Sequence, residues 1–151
     1  SMALNRDPNS LTPRTREMYL EFMEKALDAG IFVAISEARR SHETQAVYYL
    51  RGRVDVSDPK IVEAMRILGA AHAWKFAPWE VDKTVTWTLD SNHLSGKAVD
   101  IVVYDEHHKP DWDSKGERWQ TVLNIAREVG FSCGADWEVN DYPHLENRGP
   151  E

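Results

Sequence analysis

The sequence predicts an α+β domain, a small antiparallel sheet with flanking helices. Three observations lead there. Apolar residues recur at helical spacing in stretches bounded by capping residues. Two short apolar runs, at 31–35 and 101–103, have the length of buried strands. Helices dominate the first half and most strand-like runs come later, the order of an α+β chain and not of alternating βαβ units. With 151 residues, 42% hydrophobic and 10% aromatic, the chain can bury a substantial core. A single domain is read over 11–151. Residues 1–10 read as a tag remnant, Ser1-Met2, followed by a polar N-terminal arm ordered only by contact.

Thr12 then Pro13 pairs an N-cap with the first helical position. Tyr19, Phe22, Met23, Ala26 and Leu27 form the apolar stripe of that helix, and Gly30 fits its stop. The run 31–35 is a buried strand whose end carries the polar segment 36–41. Ser41 caps a second helix reaching Leu50, and Gly52 marks its end. Asp58-Pro59 starts a third, with Ile61, Ala64, Met65, Leu68 and Ala71 on one face and His72 read as structural. Trp74, Phe76 and Trp79 crowd the next turn, broken by Pro78. Residues 81–89 alternate, Thr84, Thr86 and Thr88 against Val85, Trp87 and Leu89, the pattern of a half-buried strand. A further strand follows at 99–104, then a polar loop at 105–115. Ser114 or Asp113 caps a last helix with Trp119, Val122, Leu123, Ala126 and Val129 inward and Gly130 as its stop. A short strand near Phe131 and the segment 137–146 close the chain.

The net charge of −7 argues against nucleic acid as a partner, because phosphate binding needs clustered Lys and Arg. No apolar run approaches the ~20 residues that span a bilayer, so no membrane insertion is expected, and no signal peptide is read before the fold. Cys133 is alone, which excludes a disulfide framework and a Cys-based zinc site; its neighbours match no thiol-protease signature.

The chemistry concentrates around 91–100. His93 and Asp100 lie seven residues apart with Gly96 between them, where the backbone can bend back. Strand alternation sets Val99 and Ile101 on one face and Ala98, Asp100 and Val102 on the other, so Asp100 is read as an acid aimed into a mostly apolar layer. A buried carboxylate needs a partner, and a cation suffices. His144 supplies a second imidazole from a distant segment. Two His and one Asp meet the ligand count of a catalytic zinc site, although the same spacing also fits a core Asp capping a loop. Asp141, three residues before His144, is either a base for a metal-activated water or a turn-former beside Asn140. Glu146 shares a strand face with His144 and either orients it or lines the pocket. A guanidinium at Arg40 can stabilise an oxyanion, Arg39 lies beside it and one of the two is solvated; Gln45 supports the site or is a surface amide. His107 and His108 read as surface residues. Asp105, Asp111 and Asp113 are candidate calcium ligands without EF-hand spacing.

Ser91-x-His93-x-x-Gly96-x-Ala98-x-Asp100, joined to Trp137-x-x-x-Asp141-x-Pro143-His144-x-Glu146, resembles the M15 zinc peptidases of peptidoglycan. These include D-Ala-D-Ala carboxypeptidases, the dipeptidases of vancomycin resistance and phage endolysins cutting the L-Ala-D-Glu bond. The upstream Glu37-x-x-Arg40-Ser41-x-Glu43-x-Gln45 resembles the arginine segment of the same family, so the likeness spans residues 31–146. It implies a hedgehog/D-Ala-D-Ala peptidase-like fold and zinc on His93, Asp100 and His144. It further implies Asp141 as base, Arg40 on the scissile carbonyl or its oxyanion, and Ser91, Gln45 and Trp137 as substrate contacts. The Asp-x-Pro-His ending is closer to the L-Ala-D-Glu endopeptidases than to the dipeptidases, which favour Glu as base. The implied substrate is the peptidoglycan stem peptide, met by a monomeric enzyme of phage or prophage origin that waits in the host cytoplasm until released to the wall. The alternatives are a D-Ala-D-Ala carboxypeptidase of the same family and a non-catalytic, zinc-containing wall-binding module.

Overall fold

A computed structural model describes residues 4–72 and 81–151, with side chains for all of these but 70–72. The turn read at Trp74, Phe76, Pro78 and Trp79 lies outside the described residues, as do Ser1-Met2 and the side chains of Ala71 and His72. The chain divides into two compact units, a finer partition than the one domain read over 11–151. One unit comprises Ser1–Leu4 and Arg40–Leu94, the other Asn5–Arg39 and Ser95–Glu151. Among the described residues no helix is long and apolar enough to cross a membrane.

The second unit holds the sheet. Its first helix, α1 (Pro13–Asp28), starts at Thr12 with Pro13 at the first position and ends before Gly30, whose φ of +78° suits a residue without Cβ. Met18, Tyr19, Phe22 and Ala26 are buried, whereas Leu27 is 49% exposed. The stripe centres on Phe22 and Ala26, so the next row, Met23 and Leu27, falls at its edge. The strands β1 (Phe32–Glu37), β2 (Ala98–Tyr104), β3 (Ser132–Cys133) and β4 (His144–Glu146) form an antiparallel sheet in the order β1-β2-β4-β3. The last helix, here α4 (Glu117–Val129), buries Trp119, Val122, Leu123, Ala126 and Val129 as its spacing requires, and Gly130 ends it in the left-handed region. Its N-cap is Gly116, not Ser114 or Asp113. Those two are used one turn earlier: the Asp113 carbonyl accepts from Gly116 N–H, and Ser114 N–H donates to the Trp112 carbonyl.

Both helices pack on Val99, Ile101 and Val103 of β2, together with Val33, Phe131 and Leu145. Emptying a fully buried site such as Phe22 costs about 3–5 kcal/mol. Asp100 and Val102 lie on the opposite face, which is only partly buried. The carboxylate is therefore not sunk in an apolar layer: its side chain stays 24% exposed, because the helices cover only one side of the sheet. Asn5 ties the described part of the polar arm to the strand end. Asn5 accepts from Ala38 N–H through its carbonyl and donates through Nδ2 to the Arg39 carbonyl.

The first unit contains α2 (His42–Leu50) and α3 (Pro59–His72) around a small core of Val47, Met65 and Val81. Ser41 Oγ caps α2 by accepting from Thr44 N–H at 3.1 Å, and Asp58 Oδ1 accepts from Lys60 N–H at the start of α3. Among the described residues of the apolar face read on α3, Met65 is buried, Ile61 is half-buried, and Ala64 and Leu68 are exposed.

The strand expected at 81–89 does not form. Val85, Trp87 and Leu89, the face meant to be inward, are 48%, 77% and 55% exposed. Threonine hydroxyls take over the backbone groups that a ladder would have used. Thr86 Oγ1 accepts from Thr88 N–H, and Thr88 Oγ1 accepts from Asp90 N–H. The carbonyls go to side chains: Gln45 Nε2 donates to Thr88 and Arg53 Nη1 to Thr86. Alternation here reflects ST-turn chemistry and not a pleat.

Candidate metal centre

The register of the sheet aligns three ionisable residues. Glu37 on β1, Asp100 on β2 and His144 on β4 are direct cross-strand partners in one row. A β-bulge between Ile35 and Glu37 brings Glu37, instead of Ser36, opposite Asp100. The Glu37 carboxylate is buried, and the sequence had given it no separate role. His93 comes from the turn at 92–96, where Ser91 Oγ accepts from His93 N–H. Gly96, at φ +77°, ends that turn; a Cβ there would lie 3.0 Å from the Ser10 carbonyl oxygen. Ligand atoms of His93, Asp100 and His144 all lie within 4.8 Å of one another. This is the one such group of His, Cys and acidic side chains among the described residues. Two imidazoles and a carboxylate are the borderline and hard donors that zinc accepts.

His144 is the best defined of the three. Its Nδ1 lies 3.2 Å from Asp100 Oδ1 and its Nε2 lies 2.7 Å from Glu146 Oε1. Burial alone would lower its pKa. The hydrogen bonds to Asp100 and Glu146, with the charges of Asp100 and Asp141, more than reverse this and raise it to about 9.

Asp141 is exposed at the turn before β4, and its charge reaches His144. Gly134 sets that turn. Its carbonyl accepts from both Trp137 N–H and Asp141 N–H. A Cβ added at Gly134 would collide with the Asp141 carbonyl oxygen and stand 3.1 Å from the Cβ atoms of Asp141 and His144. The sequence marks Gly134 as a turn residue but carries no sign of the backbone that presses on it. Gly134→Ala is expected to cost about 1–3 kcal/mol in a denaturant melt and to weaken metal binding by displacing the 141–144 turn. Unchanged melting and metal affinity would mean the turn yields freely.

Trp137 packs against His144, ring centroids 5.0 Å apart. Arg40 belongs to the first unit, its guanidinium 4.6 Å from the Tyr48 ring centroid and its Nη1 donating to Gln45 Oε1 at 2.7 Å. Gln45 is 1% exposed, and its Nε2 donates to Thr86 Oγ1 and the Thr88 carbonyl. Its amide is thus committed at both ends, and any reach towards a substrate runs through Arg40. Arg39, His42, His107 and His108 are exposed. Cys133 is buried, and burial pushes its thiol up to about 11, so it is no nucleophile at neutral pH. The acids of the 105–113 loop hold the loop itself together. Asp105 Oδ1 accepts from His107 and Lys109 N–H, while Asp111 accepts from Asp113 N–H and Arg118.

Residues 84–147 match a peptidase M15 family profile described as D-alanyl-D-alanine carboxypeptidase. The chain is 29% identical over 144 residues to the peptidoglycan L-alanyl-D-glutamate endopeptidase CwlK of Bacillus subtilis, covering 92% of this chain and 74% of that protein. The crystal structure of the Serratia marcescens L-Ala D-Glu endopeptidase ChiX superimposes with a TM-score of 0.55 at 22% identity, over 92% of this chain and 81% of that one. The α+β architecture is thus that of a known peptidase, and the matched stretch contains His93, Asp100, Asp141 and His144. Residues 84–147 carry a match to the peptidase M15 profile, the chain is similar in sequence to CwlK over most of its length, and its fold is like that of ChiX.

Proposed function

We propose that this protein is a zinc metallopeptidase that hydrolyses the L-Ala-D-Glu bond of peptidoglycan stem peptides. The observation that carries the reading is the convergence of His93, Asp100 and His144 within 4.8 Å, with the charge of Asp141 felt at His144. The donor set fits a divalent ion, and zinc among these by ligand type. His93, Asp100 and His144 would hold the ion, which would supply Lewis acidity for the scissile carbonyl and for the attacking water. Asp141, exposed and anionic, removes the proton from the attacking water and returns it to the leaving amine. The Arg40 guanidinium holds the oxygen that becomes negative as the carbonyl turns tetrahedral. Gln45 acts through Arg40 by fixing its fork, and Ser91 and Trp137 contact the stem peptide. The endopeptidase activity named for CwlK supports the choice of bond, as does the Asp-x-Pro-His ending.

The family description, D-alanyl-D-alanine carboxypeptidase, favours a second reading: removal of a terminal D-Ala by the same chemistry. Digestion of purified muropeptides, followed by mass spectrometry, separates the two. The L-Ala-D-Glu reading expects cleavage next to the muramoyl L-Ala and loss of turnover on chelation, restored by zinc. Free D-Ala as sole product overturns the bond assignment. No product from a metal-loaded protein overturns the hydrolase.

A further inference from the structure

We propose that Glu146 and Arg148 are positioning residues for the metal centre: Arg148 fixes the Glu146 carboxylate, and Glu146 fixes the His144 ring for coordination. The proposal rests on the metal site proposed above and goes beyond its three donors to the device that holds one of them.

Glu146 follows His144 by two residues on β4, so both side chains rise from the same face of the strand. The carboxylate is 5% exposed and stands between an imidazole and a guanidinium. Its Oε1 lies 2.7 Å from His144 Nε2, and its Oε2 accepts from Arg148 Nε at 2.6 Å. A buried carboxylate is costly unless both oxygens are engaged, and here each oxygen has its own partner. The ring is thereby sorted. Nε2 carries a proton towards Glu146, which leaves Nδ1, the nitrogen beside Asp100, as the donor for an ion. Carboxylates behind ligating histidines set the tautomer, the ring plane and the ligand basicity in this way.

Arg148 adds something that a simple carboxylate–histidine pair lacks. Its side chain is 60% exposed, so it contributes little to the core, yet it touches both neighbours of His144. Besides gripping Glu146, its guanidinium lies 5.3 Å from the centroid of Trp137, the ring that packs on His144. His144 is therefore held edge-on by Glu146 and against one side by Trp137, with Arg148 bridging the two supports. All four residues lie in the second unit.

The test is zinc affinity of the full chain, measured by competition with a chromophoric chelator, beside the absorption spectrum of the cobalt(II) form. Glu146→Ala is expected to weaken zinc binding about 10–100-fold. Glu146→Gln, which keeps an acceptor for Nε2–H but not the charge, is expected to recover part of that loss. Arg148→Met is expected to lose several-fold, with circular dichroism of the metal-free protein unchanged. The cobalt bands shift in the order of the affinity losses. Should Glu146→Ala fail to fold, Glu146→Gln and Arg148→Met carry the test alone. Wild-type affinity and an unaltered cobalt spectrum in these variants overturn the proposal, as does a change confined to melting temperature. A wild-type chain that binds neither metal sinks the metal site itself, a different outcome from variants that bind like wild type.

Discussion

Asp141→Asn is expected to keep its fold and its metal and to lose hydrolysis of muropeptides by roughly 10²–10⁴-fold, the usual worth of a positioned general base. The expectation follows from where Asp141 sits. It lies outside the cluster of three donors, so its loss removes no ligand. It is exposed on the turn that leads into β4, open to water, and near enough for its charge to act on His144. The substitution is nearly isosteric, and the turn depends on main-chain bonds: Gly134 accepts from Asp141 N–H, and the Asp141 carbonyl accepts from His144 N–H. Neither needs the carboxylate. Metal content by emission spectroscopy, circular dichroism and a muropeptide digest, run side by side, read out the three parts of the claim. A variant that digests at the wild-type rate makes Asp141 a turn-former after all. A wild type and variant equally inert, both loaded with metal, leave a wall-binding domain that keeps its ion for structure.

The elements that the sequence displayed best are those whose burial follows one period. Helix α4 shows its five inward residues at helical spacing, and all five are buried. Helix α1 behaves likewise apart from Met23, half-buried, and Leu27, exposed. The segment 81–89 misled because period two has two physical origins. Threonines spaced by two either line one face of a pleat or chain together through hydroxyl-to-backbone bonds, and only the environment decides. Here Arg53 and Gln45 supply donors for the carbonyls, and the apolar partners stay in solvent. The three candidate donors could be picked out because the side chains that could hold an ion belong to short motifs, His93 to Asp100 and Asp141 to His144. Their convergence depends on β2 pairing with β4, a contact between positions 44 residues apart. What the sequence hid was register. The bulge that places Glu37 across from Asp100 and the close approach of Gly134 to the 141–144 turn leave no trace in residue type or spacing.

Asp100→Asn is expected to abolish metal binding at micromolar ion and, in the metal-free protein, to flatten the dependence of stability on pH. The first effect exceeds the 10–100-fold that an outer partner costs, because a charged donor leaves a set of three. The second comes from His144. In the metal-free wild type its pKa stands at about 9 against an ordinary 6.5; burial opposes the rise, and the hydrogen bond to Asp100 heads the interactions that produce it. A group whose folded pKa is raised contributes stability in full below its unfolded value and loses it as pH climbs through the folded value. The His144 contribution is therefore complete below about pH 6.5 and gone above about pH 9, and at ~1.4 kcal/mol per pKa unit it amounts to roughly 3 kcal/mol. With Asn at 100 the charge and its hydrogen-bond strength disappear, and Glu146 and Asp141 alone sustain a smaller shift. Urea melts of the metal-free proteins between pH 6 and pH 10 measure the difference. Wild type should lose markedly more stability over that interval than Asp100→Asn. Parallel curves would mean that the acids around His144 do not hold its proton, and hence that they are not arranged to hold a cation in its place.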